Sequence, residues 1–333
     1  MAVPDTSAII SSLLAASRWW SGSTITYSAP GAGSTWPTYD AGKEPGVAGY
    51  GVLNASQVQQ FRAAIDAWDK VVAVNFIQTD DVASPGQIRV AFTDVDALGD
   101  GDEDLWGYAY YPPSYGGGGS AISGDIWIDQ SHVTSDFAQG GNDFSSLVHE
   151  IGHAIGLKHP FEDGAVLPAA YDNSRYTVMA YTDATDSLYW QVEATATGVR
   201  ITPTRVAPET PMVFDVLAAQ SRYGADSTTA AGNTTYAWDE SRPFFQTVYD
   251  AGGVDTFDLS NHSRGSIIDL APGAYSSIAQ FSAQAQIAQM LIRFPWAADF
   301  FNEHIQGPET YTWSDNLGIA YNTVIENVLG GSG

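Results

Sequence analysis

The run HEIGHAIGLKHP, His149 to Pro160, constrains this chain of 333 residues more than any other stretch. On an α-helix His149 and His153 are four residues apart and project from the same face. One cation can therefore bind both imidazoles. Glu150 stands one step round from His149, placed to reach a water on that cation rather than the cation itself. Gly156 comes one turn later, and a glycine lets the chain turn sharply and bring His159 back to the same ion. Three neutral imidazoles are a common catalytic Zn²⁺ set that leaves a position open for water. Zinc lowers the pKa of such a water and polarises a carbonyl. Glu150 would then act as general base and hand the proton to a leaving amine. The complete HExxHxxGxxH spacing leaves chance little room. His132, His262 and His304 lack such company and are read as non-ligands.

The helix that carries the first two histidines should begin near Asn142 or Asp143. Phe144, Leu147, Val148, Ile151, Ala154 and Ile155 form its apolar face. A second clear helix covers NASQVQQFRAAIDAWDKVV, with Val58, Phe61, Ile65, Trp68 and Val72 at three- and four-residue steps and Asn54 or Ser56 as cap. STITYSAPG, VNFIQ, QIRVAFTDV and GDIWID read as strands. The acidic run DVDALGDGDEDLWG and the Gly-rich 116–119 stretch read as loops, and residues 160–210 as irregular, turn-rich chain. PMVFDVLAAQSRYG is a helix opened by Pro211 and closed by Gly224. Beyond it the texture becomes short alternating segments punctuated by Gly and Asp. The expected organisation is an N-terminal segment or short pro-region over 1–20, an α+β domain over 21–225 and a β-rich segment over 226–333.

The formal charge is −25, from 38 acidic and 13 basic residues. This argues against binding to nucleic acid or anionic membranes, both of which need a basic patch, and it suits either solubility or calcium, which takes carboxylate and carbonyl oxygens. There are no cysteines, so disulfides and thiolate metal sites are excluded. The apolar run Ile9 to Ala16 lacks a preceding basic region, unlike a signal peptide. No stretch has the apolar length of a bilayer span.

The zinc run, together with Met179 in YTVMAY 20 residues past His159, resembles the metzincin pattern of zinc motif and methionine turn. Pro160 after the third histidine and Tyr181 two residues after the methionine narrow the resemblance to the serralysins, secreted bacterial metalloproteases of the alkaline protease group. The resemblance implies a metzincin-like α+β protease domain, a mixed twisted sheet plus active-site helix, followed by the start of a parallel β-roll. It implies that Met179 forms an apolar floor under the zinc. It also implies that Tyr181 coordinates the resting ion and then swings away to stabilise the oxyanion. DAGGVDTFDLS and TVIENVLGGSG resemble the opening of the calcium-binding roll. By position, structural Ca²⁺ would be held by Ala230, Gly232, Thr234, Asp250, Gly252, Gly253 and Asp255, and a neighbouring ion by Val324 and Glu326. QAQIAQMLIRFPWAADFFNEHIQGPETYTW departs from the family pattern, and the chain ends where the roll repeats would begin in earnest.

The expected activity is that of a secreted zinc endopeptidase, exported to the extracellular space or cell surface without a cleaved N-terminal signal, as type I secretion substrates are. Its substrates would be proteins or peptides lying extended along an edge strand. GDIWID, with Gly124, Asp125, Ile126 and Trp127, is the candidate edge because it precedes the active-site helix. The expected protein is a monomer, with a proteinaceous inhibitor among its partner classes, no nucleic acid and no membrane insertion. Two alternatives remain open at this point. One is a protease that cuts mainly its own chain or one dedicated surface-layer partner. The other is a non-catalytic zinc and calcium surface module, which the intact Glu150 opposes.

Overall fold

A computed structural model describes residues 3–98, 105–115, 120–162, 164–195 and 198–333. The Gly-rich 116–119 loop and the centre of the acidic run, 99–104, lie outside the described residues. The first half contains α1 (Thr6–Leu13), β1 (Thr24–Ser28), α2 (Ala55–Asp69), β2 (Asn75–Gln78), β3 (Ile88–Thr93), β4 (Gly107–Ala109), β5 (Asp125–Asp129), α3 (Asn142–Ala154), β6 (Leu188–Thr195), β7 (Gly198–Arg205) and α4 (Val213–Tyr223). The second half contains β8 (Thr235–Ala237), β9 (Gln246–Val248), β10 (Thr256–Asp258), β11 (Tyr275–Ser276), α5 (Ala283–Arg293), α6 (Ala298–His304), β12 (Leu317–Ile319) and β13 (Asn327–Leu329).

Helix α2 starts where its capping chemistry places it. Asn54 accepts from the Gln57 amide while the Gln57 side chain reaches back to Asn54. Its apolar stripe and that of α3 pack together, and each nearby indole satisfies its N–H on a helix carbonyl. Trp68 donates to Val148 at 3.0 Å and Trp20 to Ala154 at 2.8 Å. Both helices serve one sheet, ordered β2-β1-β3-β5-β4, in which only β4 runs antiparallel to its neighbour.

That order corrects one expectation. GDIWID is not an edge. Strand β5 is paired with β3 on one side and β4 on the other, and all five of its residues are buried. Gly124, at φ +83°, lies just before it, with the Gln87 carbonyl so near that a Cβ would stand 2.3 Å from it. The short strand β4, nearer the helix in space although earlier in sequence, forms the edge.

The N-terminal segment is built into the core. Ile9 and Leu13 are fully buried, and Leu14 pairs with Leu157. The stretch read as irregular contains a long antiparallel hairpin, β6–β7. Against it rest α5 and α6, the segment that departs from the family pattern. Ile287, Phe294, Phe301 and Ile305 meet Trp190, Val192, Val199 and Ile201 in a small core of their own. The hairpin was invisible to periodicity because its apolar residues find their partners only a hundred residues later. In the C-terminal half β8, β10 and β13 run parallel, as do β9 and β12, so the strand segment stacks in the manner of a roll. Residue 225 marks a change of texture and not a gap, because Phe214, Phe245, Phe257 and Leu317 share one core with α2 and α3.

The outer face of β4 and β5 carries a dense polar network. Glu44 accepts from the hydroxyls of Tyr108 and Tyr110, and Asp125 accepts from Tyr39 at 2.8 Å. Burial pushes the Asp125 carboxyl up to about 7. Its value in the unfolded chain is about 4, so the neutral form adds stability at low pH that is lost as pH rises from there toward 7. Asp125→Asn should keep that contribution throughout. Urea unfolding of both proteins from pH 4 to pH 7.5 is expected to move progressively in favour of the variant, and parallel pH curves would refute the assignment.

Candidate metal centre and cleft

The three histidines of the motif come together. His149 and His153 ride on one face of α3. Gly156, at φ +106°, reverses the chain and returns His159 to them. The Nε2 atoms of His153 and His159 lie 2.9 Å apart, and those of His159 and His149 3.2 Å apart. Every Nδ1 is already engaged. His149 Nδ1 donates to the Val178 carbonyl at 2.7 Å, and His153 Nδ1 to the Leu157 carbonyl at 2.8 Å. His159 Nδ1 meets Glu162 Oε1 at 2.6 Å. Each ring donates through Nδ1, so each Nε2 is a bare lone pair. Burial holds all three rings below the usual imidazole range, His149 at about 4. Three neutral donors aimed at one point have no hydrogen to share among themselves. The donor set fits a zinc ion, and it is the one such cluster among the described residues.

Glu150 lies beside this point. It is buried, and its Oε2 has no hydrogen-bond partner among the described residues. Burial pushes its carboxyl up to about 8. Tyr181 places its ring edge-on to His159, with centroids 4.4 Å apart, and is more than half exposed at the mouth of the site. Met179 is wholly buried under α3, and a Cβ on Gly152 would meet its sulfur at 2.6 Å. That glycine is therefore a packing requirement of the methionine turn.

Several contributors escaped the sequence reading. Asp215 of α4 accepts from Thr177 Oγ1 at 2.5 Å and from the amides of Val178 and Met212 at 2.7 and 2.8 Å. It pins the turn that offers Val178 O to His149. Nothing local in PMVFDVLAAQ marks this aspartate except that it is a charge on an apolar helix face. Glu162, three residues past His159, orients the third imidazole. The edge strand β4 was missed because Gly107–Ala109 is too short to show alternation.

Two cavities open beside Glu150. One, of about 430 Å³, is lined by Ser145, Ser146, His149, Glu150, Val178, Tyr181 and Asp183. The other, of about 150 Å³, brings Gly107, Tyr108 and Ala109 of β4 to His153, His159 and Tyr181. A larger cavity of about 640 Å³, between α2 and the C-terminal half, contains neither the histidines nor Glu150.

The residues expected to hold calcium gather at the head of the parallel strands. Asp250 and Asp255 are buried, and Asp255 Oδ2 has no hydrogen-bond partner among the described residues. Asp255 Oδ1 accepts from the Thr234 amide, Glu326 Oε2 accepts from the Asp255 amide, and Asp250 Oδ1 accepts from the Gly252 amide. The Thr234 hydroxyl lies 3.3 Å from the Ala230 carbonyl and 2.9 Å from that of Gly232. Gly253, at φ +149°, packs so tightly that a Cβ would stand 2.6 Å from the Gly232 carbonyl. Val324 is exposed on the approach to β13.

The turn at Gly156 also receives the N-terminal segment. Ala15 donates to the Gly156 carbonyl at 2.9 Å and the Lys158 amide to the Leu13 carbonyl at 2.8 Å. A Cβ on Gly156 would stand 2.0 Å from the Arg18 carbonyl. Gly156→Ala should therefore cost more than about 1 kcal/mol from the left-handed backbone alone, and the clash should displace His159. Urea unfolding of the metal-free protein and a zinc titration are expected to show both losses, and an unchanged zinc affinity would contradict this role.

Residues 48–189 match the family model described as Matrixin, and residues 214–293 match the one described as Peptidase M10 serralysin C terminal. Serralysin B of Dickeya chrysanthemi is 28% identical over 304 residues, covering 83% of this chain and 52% of the relative. Serralysin of Proteus mirabilis is 27% identical over 281 residues, covering 77% and 54%. Metallopeptidase AprA of Pseudomonas marginalis is 28% identical over 271 residues, covering 73% and 52%. The chain thus spans about half the length of the curated relatives it matches. The two models follow one another along the chain in the order of its histidine-bearing and strand-rich halves, and the chain belongs to the serralysin family.

Proposed function

We propose that this protein is a zinc-dependent endopeptidase of the metzincin type that hydrolyses peptide bonds in extended protein segments. The observation that carries the reading is the meeting of three bare Nε2 lone pairs beside a carboxylate oxygen that nothing else engages. His149, His153 and His159 would hold the ion. Zinc at that point supplies Lewis acidity toward a carbonyl and toward water.

Glu150 takes a proton at Oε2 and returns it to the leaving amine nitrogen. Burial raises its affinity for the proton, and a cation among the histidines lowers it again, so the two opposing effects bring the group into the range where it can do both tasks. The Tyr181 phenol, at the mouth of the site, donates to the developing oxyanion and is the candidate fourth ligand in the resting state. The substrate backbone pairs with β4, whose free side borders His153 and Tyr181. The 430 Å³ cavity beside Glu150 receives a substrate side chain.

The acidic head of the parallel strands takes structural Ca²⁺ through Asp250, Asp255 and Glu326, with the neighbouring carbonyls. Export to the extracellular space and action as a monomer on proteins or peptides complete the reading. No helix among the described residues is long and apolar enough to cross a membrane.

Glu150→Gln should lower kcat by about 10²–10⁴-fold while one zinc per chain remains bound. Casein digestion with elemental analysis of the same sample checks this, and near-normal turnover in the zinc-loaded variant would remove Glu150 from the mechanism. Calcium that binds only the folded chain stabilises it by mass action. Thermal melts in zinc-saturated buffer should thus shift upward when free calcium is supplied. Coincident melts, with no calcium on elemental analysis, would leave the strand-head carboxylates as ordinary turn residues.

A further inference from the structure

His159 differs from the other two histidines in what supports it. His149 and His153 are carried by the repeating hydrogen bonds of α3, which ends at Ala154. His159 stands beyond Gly156 on a chain without helix or strand, so its position depends on the turn that follows it. The base of that turn is closed by the Leu167 amide on the Pro160 carbonyl at 2.9 Å. Two side chains of the turn grip the imidazole. Glu162 Oε1 meets Nδ1 at 2.6 Å, and the Phe161 ring lies parallel to the His159 ring with centroids 5.0 Å apart.

Lys158 sits inside this turn. It is 8% exposed, and its amide is already held by the Leu13 carbonyl of the N-terminal segment. Its side chain runs inward, and Nζ donates to the carbonyl oxygens of His159 at 3.1 Å, Glu162 at 3.4 Å and Ala165 at 3.2 Å. An ammonium has three donors and no acceptor, and three carbonyl oxygens of one turn face it. Carbonyl dipoles that converge repel each other, and a compact cation at their focus reverses the sign of that interaction. Two of the three carbonyls belong to the ligand His159 and to the residue that orients it.

The geometry points to Lys158 as a positioning residue for the third ligand, an internal cation that gathers the carbonyls of the turn after His159 and so holds Glu162 and Phe161 against the imidazole. This rests on the reading of His149, His153 and His159 as one zinc site. Lys158 lines neither of the two cavities beside Glu150, so the route from its ammonium to the site runs through the turn that carries His159. Residues that orient a ligand from outside the coordination sphere typically change metal affinity by about 10–100-fold.

The test is the rate of zinc release from the full chain to a chromogenic chelator, for the wild type, Lys158→Met, Lys158→Arg, Glu162→Gln and the Lys158→Met/Glu162→Gln double variant. Unfolding of the metal-free proteins is followed alongside. Lys158→Met should speed release about tenfold or more. Lys158→Arg, which keeps the charge, should restore much of the slow release. The double variant should release no faster than the faster single variant, because both substitutions loosen the same turn. If Lys158→Met does not fold, Lys158→Gln, which keeps a donor but loses the charge, takes its place. Wild-type release from the neutral variants, equal release from the arginine and methionine variants, or independent multiplication with Glu162→Gln would each overturn the proposal. A wild type that binds no zinc would instead overturn the site reading on which it rests.

Discussion

Three imidazole lone pairs pointed at one another are unfavourable unless a cation stands between them, and the surrounding structure is organised to keep them so pointed. Each ring is fixed through its Nδ1 by a different part of the chain. Val178 of the methionine turn holds His149, Leu157 at the helix exit holds His153, and Glu162 of the following turn holds His159. Those three supports have supports of their own. Asp215 gathers Thr177, Val178 and Met212, the N-terminal segment pairs with Gly156 to Lys158, and α2 backs α3 through Trp68. The donor atoms of the site therefore report on contacts spread from residue 13 to residue 215.

A second constraint is the treatment of buried carboxylates. Glu150, Asp125 and Asp215 are all desolvated and all pushed upward, to about 8, 7 and 7. Their surroundings differ, and so do their uses. Asp215 has three donors and acts as a structural anchor, while Asp125 has Tyr39 and belongs to the network behind the edge strand. Glu150 keeps an oxygen that no described residue engages. Glu150 also lines both cavities that border the three histidines, where a buried carboxyl with an unengaged oxygen is suited to proton transfer.

The C-terminal half is joined to the half that carries the three histidines by a shared apolar core, and its parallel strands end in a cluster of carboxylates. Asp250, Asp255 and Glu326 lie close enough that Asp255 is raised by burial and by its two acidic neighbours. Such a cluster is costly without a counter-ion, which is the physical basis for assigning it a cation. The helices α5 and α6 interrupt the strand order and bury their apolar faces on the β6–β7 hairpin. An insertion in one half thereby covers an extension of the other.

The amino-acid order alone determined the chemistry that depends on local spacing. A step of four residues from His149 to His153 means one helix face, Gly156 means a reversal, and Asn54 or Ser56 before an apolar stripe means a helix start, because each follows from bonds within a few residues. The strand-rich texture after residue 225 was legible for the same reason. What needed the tertiary structure was every statement about which surface lies next to which. GDIWID alternates and precedes the helix of His149 and His153, yet it lies inside the sheet, since strand order depends on pairings with β3 and β4 that leave no mark in its own sequence. The β6–β7 hairpin lacked a local signal because its apolar partners lie on α5 and α6. Asp215, Glu162 and Lys158 each look like ordinary charged residues in the sequence. Their roles arise only where the folded chain sets a carboxylate against backbone amides, a carboxylate against an imidazole, and an ammonium against three carbonyl oxygens. Burial strengthens such interactions between charges and dipoles that come close together in space, and that closeness is decided by packing and not by spacing along the chain.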